Sequence, residues 1–205
     1  MRLETHGRWP WVAAGLVVPA WLLAAARRGE LREDGAWVAG LAFPVLVSHQ
    51  SEEWVWPGGF LPFCNTRVLG SNRPDWPLTE RDGFHVNVTG GWLSAVAGLA
   101  LWRRTPVVAA GVLLMEVGNV LFHAGAAMRE RRYNPGVVTA GVLMAPHAAA
   151  GARWLARSGR LSPRQGLFAG AVGGAFAGVP LAMKLRMRRA SRLVRRSEER
   201  RLGSR

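Results

Sequence analysis

Cysteine is nearly absent. Cys64 stands alone, which excludes an internal disulfide and any metal site built from several thiolates. Lysine is as scarce: Lys184 is the only one, and every other basic residue is arginine. Acidic side chains number 13 against 27 basic ones, for a formal charge of +14. No internal repeat, soluble-domain pattern or nucleic-acid-binding motif accompanies that charge, so nucleic acid is set aside as a partner. Ten of the 27 basic residues fall between Lys184 and Arg205, after the last apolar block. A basic tail in that position suits anionic lipid headgroups on a cytoplasmic face.

What the chain does have is long apolar blocks. A helix needs about 20 mostly apolar residues to cross a bilayer. Segments near that length run from about 10 to 26, 36 to 56, 84 to 102, 107 to 128, 136 to 155 and 166 to 183. Only helices and closed barrels satisfy their backbone in lipid, and these blocks are too continuous for barrel strands. The expected fold is all-α, a polytopic transmembrane bundle of about six spans, or five if the first is a cleaved signal. Trp9, Trp11 and Trp21 favour a retained first span, since tryptophan concentrates at the interfaces. Residues 1–183 then form the membrane domain and 184–205 the cytoplasmic tail. The stretch 57–83, rich in Pro, Gly, Asn and Asp, reads as irregular.

Ionisable side chains inside such segments are costly and point to function. Segment two carries His49, Glu52 and Glu53, spaced so that both carboxylates lie within one turn of the imidazole. Segment four carries Glu116, Asn119 and His123 on one stripe. His85 opens segment three, Tyr133 lies in the loop before segment five, and His147 lies midway along that segment. At about 1.5 Å rise per residue, His49, Glu52, Glu53, His85 and His123 reach the same depth, because successive spans alternate direction.

Imidazole with carboxylate suits Zn, Fe or Mn, and helix bundles build such sites from inward Glu and His residues. The spacing His49-x-x-Glu52 is similar to the inverted zinc-protease pattern, with Glu53 standing where a second histidine would be. His49, Glu52, His85 and His123 are the expected metal ligands. Glu53 is the candidate general base on metal-bound water, and Glu116 a second catalytic carboxylate. Asn119, Tyr133 and His147 are expected to orient them.

The run His49-Gln50-Ser51-Glu52-Glu53-Trp54 resembles the HXXEE-domain family of small bacterial membrane proteins. The likeness continues through Asn119-Val120-Leu121-Phe122-His123 and Tyr133-Asn134-Pro135-Gly136 with Thr139, covering roughly 36 to 146. It implies a multi-pass protein of a bacterial cytoplasmic membrane and brings no reaction with it.

Three functions follow as expectations. The first is a metal-dependent hydrolase or oxidase acting on a lipid or other amphiphile. The second is a proton- or cation-coupled transporter. The third is a scaffold whose polar groups only lock helices. Membrane lipids are the expected partners, with a homo-oligomer left open.

Overall fold

The computed structural model describes residues 7–179, 181–190 and 192. The last part of the basic tail, 193–205, lies outside the described residues. Among these the chain is all-α, with no strand. Helix α1 covers Trp9–Ala26, α2 Ala42–Trp54, α3 Glu80–Leu101, α4 Val107–Glu130, α5 residues 137–158 and α6 Pro163–Ala177. Leu181–Ala190 continues beyond α6 across a bend of 42°.

Each apolar block is helical, but block 36–56 is split into Trp37–Gly40 and Ala42–Trp54, and block 166–183 is bent. α1, α3 and α4 are long and apolar enough to cross a membrane, and α6 with its continuation would add a fourth only if the bent pair is one span. α2 has only 13 residues and ends in His49, Glu52 and Glu53. In α5, His147, Arg153 and Arg157 dilute the apolar content.

The stretch 57–83 is more ordered than its composition predicts. It contains the helical turns Phe60–Pro62 and Phe63–Val68. The buried Asn65 carboxamide donates to Pro74 O and Leu78 O, both at 2.8 Å, and accepts from Leu78 N at 2.9 Å. One turn-forming side chain thus straps the loop by supplying the partners its buried backbone needs. α3 starts at Glu80 because Thr79 and Asp82 form a reciprocal capping box there.

Two of the helices widen to π geometry, at His85–Trp92 in α3 and Ala140–Met144 in α5. In α5 the cause is close by. Pro146 has no N–H to give, and its ring crowds the carbonyl four residues earlier, so the turn before it opens.

α4 packs against α3, α5 and α6. Its contact with α6 is close because glycine stands at both surfaces. A Cβ on Gly111 would meet Val172 at 2.6 Å, and one on Gly173 would meet Leu114 at 2.5 Å.

α2 is the hub, and its polar residues explain why. Ser48 accepts from Trp21 of α1 at 3.0 Å. Gln50 donates to Asn87 and accepts from Trp92, both of α3, at 3.0 and 2.7 Å. His49 and Glu52 reach α5, and Glu53 reaches α4. A short polar run among four helices is stable because its side chains find partners on α1, α3, α4 and α5.

Candidate metal centre

His49 and Glu53 lie one turn apart on α2, so both project toward α4, where His123 meets them. Glu53 Oε1 is 3.4 Å from His49 Nε2 and 3.2 Å from His123 Nε2. The three ligand atoms lie within 4.8 Å of one another. All three side chains are buried, His123 completely. The two imidazoles are edge to face, 4.9 Å between ring centres.

The proton positions follow from the outer partners. Asn134 donates its amide Nδ2 to His123 O at 3.0 Å, which leaves its Oδ1 facing His123 Nδ1 at 2.7 Å. An amide oxygen only accepts, so His123 carries its proton on Nδ1. Thr139 donates its hydroxyl proton to Glu52 Oε2 and so accepts from His49 Nδ1 at 2.9 Å. His49 also carries its proton on Nδ1. In the neutral rings both Nε2 atoms are then lone pairs, and neither has a hydrogen-bond partner. Two lone pairs and a carboxylate oxygen converge with no hydrogen between them.

Such a set can hold a cation. Zinc binds imidazole nitrogen and carboxylate oxygen at about 2.0–2.2 Å, so the edges of its tetrahedron measure about 3.3–3.5 Å. The two Glu53–imidazole separations, 3.4 and 3.2 Å, agree with that edge to about 0.1 Å. They exceed the roughly 2.7–2.9 Å of a charge-assisted hydrogen bond. The residues present therefore fit a divalent transition metal held by two histidines and one glutamate.

Glu52 does different work. Its carboxylate accepts from Val138 N at 3.1 Å, Thr139 N at 2.7 Å, the Thr139 hydroxyl and Tyr133 Oη at 3.1 Å. Those amides are the unpaired donors at the start of α5, and an anion there is stabilised by the helix dipole. Burial and the adjacent Glu52 carboxylate push the Tyr133 phenol, in the turn before α5, up to about 12. Gly136, at φ +99°, brings the chain against the centre. A Cβ there would lie 2.6 Å from His123 Cε1, 2.8 Å from His49 Cε1 and 2.9 Å from Glu53 Cγ.

Of the four ligands predicted from sequence, the structure brings His49 and His123 together and leaves Glu52 and His85 outside the cluster. The third place is taken by Glu53, predicted as general base. Glu52 and Glu53 are both within one turn of His49, and only the rotation of α2 against α4 separates them. His85 is exposed, with Nδ1 3.4 Å from Thr89 Oγ1. Asn119 donates to Met115 O at 3.1 Å and faces a neighbouring cavity. Tyr133 supports Glu52. Glu116 and His147 pair with each other instead, His147 Nδ1 lying 3.0 and 2.8 Å from the two carboxylate oxygens. Asn134 and Gly136 were given no functional role by sequence reasoning. Their signal was membership of the Tyr133-Asn134-Pro135-Gly136 element of the resemblance.

His49 and Glu53 also form part of the wall of an apolar cavity of about 290 Å³ between α2, α3, α4 and α6. Phe60 and Phe122 pack beside His123, at 6.0 and 5.0 Å between ring centres. The centre is thus walled by hydrocarbon on the side that faces the cavity.

Among known proteins, the model of a family described as "Protein of unknown function with HXXEE motif" matches residues 40–150. No curated protein and no solved structure matches the chain.

Proposed function

The chain belongs to this HXXEE-motif family, and from that premise and the geometry of its motif we propose a membrane-embedded enzyme that acts on a lipid or other amphiphile through one divalent transition metal held by His49, Glu53 and His123. The observation that carries this reading is the pair of buried, bare Nε2 atoms aimed at a single carboxylate oxygen. Zn, Fe and Mn all accept two histidines and a carboxylate.

A membrane setting is supported by the outward faces. Leu22, Val96, Leu121 and Leu167 are all exposed, on α1, α3, α4 and α6. Large apolar side chains exposed on four helices suit hydrocarbon rather than water. We place α1, α3, α4 and α6 across the bilayer with α2 and α5 packed among them, and the C-terminal end on the cytoplasmic side. Arg186 supports this arrangement, as it reaches Asp82 at 2.8 Å beside the start of α3. The metal centre then lies in the cytoplasmic leaflet, of a bacterial inner membrane if the resemblance holds for the source.

A metal held by His49, Glu53 and His123 would supply Lewis acidity. The protein's own residues do the rest. Asn134 and Thr139 hold the imidazole tautomers, Glu52 anchors α5 so that Thr139 stays in place, and Gly136 lets the backbone close over one side. The side left for substrate is the cavity.

Metal analysis of the full chain purified in detergent tests the proposal. One equivalent of transition metal is expected, lost in His49→Ala and His123→Ala and retained in Glu116→Gln. Metal-free protein after reconstitution with Zn, Fe and Mn in turn would overturn it.

One observation favours a second reading, a proton- or cation-coupled transporter. Glu116 and His147 form another buried pair, and Glu116 lies two turns before His123 on α4, about 10.5 Å along the axis. Two ionisable sites on one stripe suit a relay. Proton-driven flux in liposomes that Glu116→Gln abolishes, in metal-free protein, would select it.

A further inference from the structure

The cavity beside the metal centre has a shape and lining of its own. Its volume is about 290 Å³. A space of that order is large enough for one medium-length hydrocarbon chain. Its wall is mostly apolar, with Leu46, Val86, Met115, Phe122 and Phe176 among the lining residues. Polar character is concentrated where His49 and Glu53 enter the wall, joined by Asn87 and Asn119.

The cavity also reaches the outside of the bundle. Gly118 belongs to its wall, is exposed, and would place a Cβ within 4 Å of nothing. Glycine in a helix interior costs about 0.5–1 kcal/mol relative to alanine. Here no neighbour's crowding calls for it, and its effect is to leave space. Gly118 stands at the midpoint of α4, the level at which the ends of lipid tails lie if α4 crosses a bilayer.

We propose that this cavity takes the tail of a single-chain amphiphile, which slides in laterally past Gly118 and sets its polar head against His49 and Glu53. The assignment of the head rests on the metal-centre reading, while that of the tail rests on the cavity alone. Moving a tail from bilayer to cavity exchanges one apolar surrounding for another and gains little. The affinity therefore comes from the head, and a hydrocarbon without a head is not a ligand.

The test uses the full chain in phospholipid nanodiscs and a medium-chain fatty acid bearing a diazirine on its tail. After irradiation, adducts are expected on the segments around Val86, Met115 to Phe122, and Phe176. Competition by the unmodified fatty acid is expected, and none by the alkane of equal length. Gly118→Phe and Val86→Trp, which fill the path and the wall, should each lower this labelling about tenfold or more without changing metal content. Two variants on different helices guard against one that fails to fold. Adducts confined to the outer faces of α1 or α6, or equal labelling by a two-chain phospholipid probe, would overturn the tail assignment and leave the metal centre standing. Labelling inside the cavity of a protein that binds no metal would instead sink the centre and leave the tail assignment intact. Effective competition by the alkane would overturn the role given to the head.

Discussion

The side-chain oxygen of Asn134 lies 2.7 Å from His123 Nδ1, while its amide nitrogen is tied to the carbonyl of the same histidine. That reciprocal clasp fixes the ring, its tautomer and the direction of its free nitrogen. Asn134→Ala should therefore lower metal affinity by about 10–100-fold, the usual range for losing such a partner. Competitive titration against a chromophoric chelator measures it. Unchanged affinity would mean that Asn134 serves only the turn.

Thr139 is shared, its single hydroxyl donating to Glu52 and accepting from His49. Thr139→Val keeps the shape and removes both bonds. It should cost about 1–3 kcal/mol, because two buried groups lose a partner at once, and should weaken metal retention too. Thr139→Ser should restore both. Thermal unfolding in detergent and metal content after dialysis give the two readings.

Gly136 faces the centre with no room for a methyl group. Its left-handed backbone adds about 1–2 kcal/mol of strain for any other residue. Gly136→Ala should abolish metal retention while α5 persists, as followed by circular dichroism. Retained metal would show that the backbone near 136 can move away from His123 freely.

Tyr133 is the only tyrosine in the chain, so phenolate absorbance reports it alone. Its midpoint should lie near pH 12 in the folded protein, against about 10 when unfolded. Because the folded state holds this proton more tightly, the associated stability is complete below pH 10 and is lost as pH rises from 10 to 12. Glu52→Gln removes the neighbouring charge and should move the midpoint down toward 10. A wild-type midpoint already at 10 would show that Tyr133 does not meet Glu52.

Part of this centre is legible in the residues alone. Helical rise and alternating spans place His49, Glu53 and His123 at one level, and that required no tertiary information. The choice between Glu52 and Glu53 was not legible. Adjacent residues on a helix point about 100° apart, and the pattern is silent on which direction α4 occupies. His85 shares the level yet sits on an exposed face of α3, a matter of rotation again. The pairing of Glu116 with His147 needed the crossing of α4 and α5, which no spacing within either helix encodes.

The amino-acid order by itself determined the all-α class and the position of each ionisable group along its helix. Those properties depend on neighbours within one segment, through periodicity and rise. Only the tertiary structure decided which groups meet, which lone pairs stay bare and where the cavity opens. These depend on how each helix turns about its own axis when packed, and that rotation is set by contacts between residues far apart in the chain.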